Sequence, residues 1–104
     1  MGQFTNEVAK KLSIDGLAEF FCVTGVGARI SGMIESVRGA RKVLVLDGCS
    51  AQCAKKCADQ AGISGYSYLV VTDLGIEKNH DFSLAQADID RVLSACKANL
   101  TSTA

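Results

Sequence analysis

Apolar and polar positions alternate along the chain with two different periods. Over residues 3–14, Phe4, Val8, Ala9 and Leu12 recur at helical spacing, with Lys10 and Lys11 outside and Asp15-Gly16 as a stop signal, which predicts an amphipathic helix. Residues 17–23 are a short apolar run rich in Phe and Val, bounded by Gly16 and Thr24-Gly25. Its length and composition predict a buried strand with Cys22 at the carboxyl end. Ile30, Met33, Ile34 and Val37 then predict a helix over residues 28–37, ended by Gly39. Residues 42–46 form the clearest strand, a continuous aliphatic run broken by Asp47-Gly48. A helix over 50–61 with Gly62 as its stop, a third strand over 66–72 and a polar loop follow. The last helix, 83–100, carries the stripe Ile89, Val92, Leu93, Cys96 and Leu100, with Ser83 or Asp81 as its cap. Residues 101–104 are expected to fray.

Helices and strands in this alternation imply an α/β fold with parallel strands joined by right-handed crossovers. The expected architecture is a small three-layer doubly wound domain, Rossmann- or flavodoxin-like, with a mainly parallel three-stranded sheet and helices on both faces. At 104 residues the chain is one domain, spanning residues 1–100. Three strands make a narrow sheet, so an edge is left to pair with a second copy or another protein.

Composition narrows the function classes. Lys plus Arg and Asp plus Glu number eleven each, so the overall positive field that phosphate-backbone binding requires is absent and nucleic acid is a poor partner. The apolar runs fall far short of the roughly 20 residues that span a bilayer, and no signal-peptide core opens the chain, which predicts a cytoplasmic protein with no membrane partner. Five cysteines without an export signal read as reduced thiols rather than a disulfide framework.

In an open α/β sheet, ligands bind outside the carboxyl ends of the strands. Three such ends deliver chemistry there: Cys22-Val23-Thr24, Asp47-Gly48-Cys49 and Thr72-Asp73. At about 100° per helical residue, Cys49, Cys53 and Cys57 fall within a sector of roughly 80°, one turn apart. The alanines expected to face the sheet, Ala54, Ala58 and Ala61, lie nearest Cys57, so Cys57 reads as core and Cys49 and Cys53 as crevice residues. Cys96, on an apolar stripe, also reads as core. A thiolate at a helix N-terminus is favoured by free N–H groups, which makes Cys49 a candidate metal ligand or nucleophile. His80 lies in the loop at the same edge, as a solvated residue or a further ligand. Asp47, with Gly48, either ends the strand and caps the turn, or keeps residues 48–53 in shape or orients a bound group. Gly25-x-Gly27 allows close approach to an anion at a helix start, although a third glycine is missing. Lys55 and Lys56 read as solvated surface. No general-base histidine accompanies Cys49, and position 55 breaks a cysteine-phosphatase loop.

Asp47-Gly48-Cys49-x3-Cys53 after Val-Leu-Val-Leu, Phe21-Cys22 before Gly25-x-Gly27, and Val71-Thr72-Asp73-Leu74-Gly75-Ile76 together resemble the DGC domain family, over residues 2–79. These are small zinc-binding proteins named for the Asp-Gly-Cys motif. The resemblance implies a Zn²⁺ cofactor, four chelating cysteines and no established activity. Cys22, Cys49 and Cys53 match three of the four. The fourth normally precedes the first helix, with an upstream strand, whereas this chain begins inside or beside that helix. Either the chain is a shortened form, or Cys57, His80, water or a partner completes the site. The alternatives are a thiol redox or sulfur-transfer protein using Cys49 as nucleophile with Cys53 or Cys22 as resolving thiol, and a dimerisation or interaction module.

Overall fold

The computed structural model describes residues 2–21, 23–76 and 84–101. Along them run α1 (Gly2–Ile14), α2 (Val23–Gly27), α3 (Ser31–Arg38), β1 (Leu44–Asp47), α4 (Cys53–Gln60), β2 (Ser67–Val70), a 3₁₀ turn (Val71–Leu74) and α5 (Gln86–Thr101). The two strands pair in parallel, with Leu44 opposite Ser67 and Asp47 opposite Val70. A parallel pair needs a crossover, and α4 supplies it.

Because strand side chains alternate, β1 sends Leu44 and Leu46 to one face and Val45 and Asp47 to the other. The first face meets α1 and α5. Leu44, Leu46 and Leu69 pack there against Phe4, Val8 and Leu12 of α1, Val71 and Ile76, and Ile89, Val92 and Cys96 of α5. On the second face, Val45 and Tyr66 pack against Val26 of α2, Ala58 of α4 and Ile63. Helices therefore cover both faces of the sheet, and the apolar stripes expected for α1 and α5 are the buried ones. Full burial of a Val or Leu side chain contributes about 1.5–3 kcal/mol, so these two layers hold the sheet between them.

Several expectations need correction. The three-stranded sheet is a two-stranded one among the described residues, because 17–21 adopt no regular structure and 23–27 are helical. Gly16 closes α1 as Gly16 N–H donates to Ser13 and Leu17 N–H to Leu12, and the chain then leaves with Phe20 and Phe21 exposed. An apolar run becomes a strand only where a neighbouring strand takes its backbone groups, and none does so among the described residues.

The helix expected over 28–37 starts at Ser31, because Arg29 sits at φ 61° and separates it from α2. Gly25 and Gly27 lie inside α2, where side chains of α3 and α4 approach them closely. A Cβ at Gly25 would fall 1.9 Å from Met33 Sδ, and one at Gly27 would fall 3.0 Å from Cys57 Sγ. The helix expected over 50–61 begins only at Cys53, since Gln52 is left-handed at φ 61°. The third expected strand ends at Val70 and tightens into the 3₁₀ turn. The caps named for the last helix, Asp81 and Ser83, lie outside the described residues. None of the described helices is long and apolar enough to cross a membrane.

Candidate functional site

The carboxyl end of β1 is where sequence and geometry meet. Asp47 is 5% exposed, the one charged side chain buried among the described residues. A buried carboxylate is costly unless its oxygens are hydrogen-bonded, and here they are. Asp47 Oδ1 accepts the N–H of Ala54 (2.8 Å), while Oδ2 accepts the N–H of Lys55 (3.1 Å) and the hydroxyl of Tyr68 (2.7 Å).

Ala54 and Lys55 belong to the first turn of α4, whose N–H groups have no partner within the helix. The residue in the capping position, Gln52, makes no side-chain cap. Asp47 does that work from across the turn, placing its negative charge at the positive end of the helix dipole. The bonds tie the end of β1 to the start of α4 and so frame residues 48–52 between them. These hydrogen bonds are those of a cap at the strand end, one of the two sequence readings of Asp47.

The thiols divide accordingly. Cys49 is half-buried in the framed turn, and its carbonyl accepts the N–H of Gln52 (3.3 Å). Cys53 is exposed as the first residue of α4. The evenly spaced ladder of three thiols on one helix is corrected to a pair, Cys53 and Cys57, with Cys49 off the helix. Cys57 is half-buried and lies against Gly27 of α2. Cys96 is fully buried in the core between α1 and α5, and burial pushes its thiol up to about 11. Cys22 and His80 lie outside the described residues, although Val23, next to Cys22, begins α2, which packs against α4. Among the described residues, no three His, Cys, Asp or Glu side chains gather closely enough to hold a metal ion.

A polar layer backs the turn on the α4 side of the sheet. Tyr66 and Tyr68 meet edge to face at 6.4 Å, and Lys55 Nζ lies 5.9 and 5.8 Å from their ring centres. Lys55 also pairs with Asp59 (3.2 Å), which accepts the Tyr66 hydroxyl (2.6 Å). That last bond holds Asp59 below the usual carboxylate range and raises Tyr66, while the bond to Asp59 raises Lys55. Desolvation, then the bond to Asp47, pushes the Tyr68 phenol well above its ordinary value, so it remains a donor. Lys55, expected as plain surface, thus has its backbone on Asp47 and its amine over two rings.

Tyr68 is the residue that the sequence reading missed. A signal was present: it stands two residues before the end of its strand, at the parity that faces α4, as Asp47 does on β1. Thr72 and Asp73 follow β2 in the 3₁₀ turn, and Asp73 adds to the field that raises Tyr68.

Comparison with known proteins finds that a family model, DGC domain, matches residues 1–96. The chain is also similar to the anaerobic and virulence modulator AnvM of Pseudomonas aeruginosa, 28% identical over 101 residues, covering 97% of this chain and 77% of that protein. No solved structure matches the chain.

Proposed function

Because the chain belongs to the DGC domain family, we propose that it is a small zinc-binding module whose output is regulatory. Cys22, Cys49 and Cys53 would supply the sulfur donors, and Asp47 and Gly48 would hold the turn that carries two of them. The observation that carries this reading is the carboxylate of Asp47, which joins the strand end bearing Cys49 to the helix start bearing Cys53. Thiols at that edge would release their protons on taking a divalent cation and bind it as thiolates. Structural zinc takes four ligands, so Cys22 and one more donor (Cys57, His80, water or a partner) complete the set.

The relative described as a modulator supports a regulatory output over a catalytic one. Elemental analysis of the chain purified without chelator is expected to find about one zinc per chain, lost in the Cys49→Ser/Cys53→Ser double variant. Metal-free wild type that stays folded and binds no added zinc would sink the proposal.

A further inference from the structure

The large apolar side chains that are well exposed among the described residues all fall in one stretch, between the end of α1 and the start of α3. They are Ile14, Leu17, Phe20, Phe21, Val23 and Ile30, and their exposure runs from 38% at Phe21 to 75% at Ile14. The stretch leaves the layer in which Ala18 packs against the core of α1 and α5, and reaches the layer in which α2 packs on α4. It therefore crosses the rim of the sheet from one face to the other. Along the way the N–H groups of residues 18–21 meet no acceptor among the described residues. An apolar run with unpaired backbone groups is what recruits another chain by strand addition.

We propose that this stretch is a self-association surface whose occupant is the same stretch of a second copy of the chain. Symmetry, charge and area select that occupant. A two-fold axis sets a segment antiparallel to its own mate, so residues 17–21 of each copy supply the neighbouring strand that the other lacks. Between Gly16 and Ile30 the charged residues are Glu19 and Arg29, both exposed and of opposite sign, and Arg29 also reaches Gln60 at 3.4 Å. The surface is thus neutral and complementary to itself. The whole chain carries eleven bases and eleven acids, so two copies meet without net repulsion. The exposed apolar side chains present on the order of 500 Å² per copy, on the scale of 150–250 Å² for a whole aromatic side chain. A standard interface buries about 800 Å² per partner, and about 65% of a homodimer interface is apolar, which matches that area. The proposal is independent of zinc binding.

The test is sedimentation equilibrium of the full chain with a thiol reductant present, so that only non-covalent association is read. A dimer is expected, with a dissociation constant in the micromolar range or below. Phe20→Asp sets a charge in the surface and is expected to raise that constant at least about 10-fold. It should leave the far-ultraviolet circular dichroism unchanged, because Phe20 lies outside both core clusters. Amide hydrogen exchange on wild type gives a readout that needs no variant: residues 18–21 should exchange freely in dilute solution and become protected at concentrations where the dimer forms. A chain that stays monomeric up to about 100 µM overturns the proposal, even if it captures a different protein through the same residues. A dimer that Phe20→Asp leaves intact, or in which residues 18–21 stay unprotected, overturns it too, since the copies then meet elsewhere. Should Phe20→Asp fail to fold, the exchange measurement decides alone.

Discussion

At the carboxyl edge of the sheet Asp47 turns a buried carboxylate onto the first N–H groups of α4, whereas at the amino edge Arg38 and Lys42 donate to carbonyls of Ala61 and Asn99. The two edges meet opposite ends of helices. Strands and crossover helices run in opposite directions, so α4 starts beside the end of β1 and finishes beside the start of β2. Helix starts are electropositive and receive an acid; helix ends are electronegative and receive bases. The amino edge also holds a cavity of about 290 Å³, lined by Arg38, Arg41 and Lys42 together with residues 62–65. Its positive wall resembles an anion site until the helix ends are considered. Arg38, which also meets Glu35 at 3.3 Å, and Lys42 already serve backbone carbonyls there. What separates the edges is burial: one buried acid with three fixed donors cannot be replaced by a neighbour, but solvent and nearby bases can share the work at the other edge.

Asp47→Ala should cost the fold the most. It removes a helix cap, and it leaves the N–H groups of Ala54 and Lys55 and the Tyr68 hydroxyl without their acceptor. Cap loss and unsatisfied donors together are expected to cost about 3 kcal/mol. For a domain of this size that corresponds to a fall in melting temperature of roughly 12–24 °C. Urea denaturation should show the loss in the midpoint with little change in slope. A cost below about 1 kcal/mol would mean that Asp47 is no more special than a surface charge.

The same contrast explains what could be read from the sequence. Elements with strong periodicity (α1, β1 and α5) lie close to where the apolar spacing puts them, because their faces are buried against one another. The run 17–23 could not be resolved that way. Phe20 and Phe21 look like strand residues, and whether a strand exists beside them is a tertiary fact that no local pattern carries. The start of α4 was misplaced for a related reason. Its cap is not the adjacent residue but Asp47, seven residues before Ala54, and Gln52 takes a left-handed conformation that its type does not announce. Asp47 and Cys49 were legible as a motif at a strand end, whereas Tyr68 acquires its role only once the register of β2 against β1 is known.

Alkaline titration sharpens the carboxyl edge from the other side. Burial and the Asp47 hydrogen bond raise the Tyr68 phenol in the folded chain. An unfolded tyrosine ionises near pH 10 while the folded one does not, so the folded state holds more protons above that pH. The stabilisation is therefore complete below about pH 10 and is lost progressively as pH rises from there toward the raised folded value. Absorbance at 295 nm should show Tyr68 ionising only with unfolding, and Tyr68→Phe should remove that part of the alkaline loss. Ionisation of both tyrosines near pH 10 in the folded chain would contradict the buried Asp47 bond.

The smallest expected effects belong to the amino edge. Arg38→Ala removes an exposed guanidinium, its pair with Glu35 and its bond to the Ala61 carbonyl, and Lys42→Ala removes a part-buried bond to the Asn99 carbonyl. Water can reach the carbonyl that Arg38 leaves, and a charge at a helix end is worth only about 0.3–1 kcal/mol. Each substitution is expected to stay below about 1 kcal/mol, with Lys42→Ala the larger because its bond is better shielded. Both should leave zinc affinity unchanged. Five residue steps run from Lys42 to Asp47, up to roughly 16 Å, so Lys42→Ala and Asp47→Asn should add within about 0.5 kcal/mol. Coupling well beyond that, measured by a double-mutant cycle in urea, would join the two edges into one electrostatic unit and end the distinction between them.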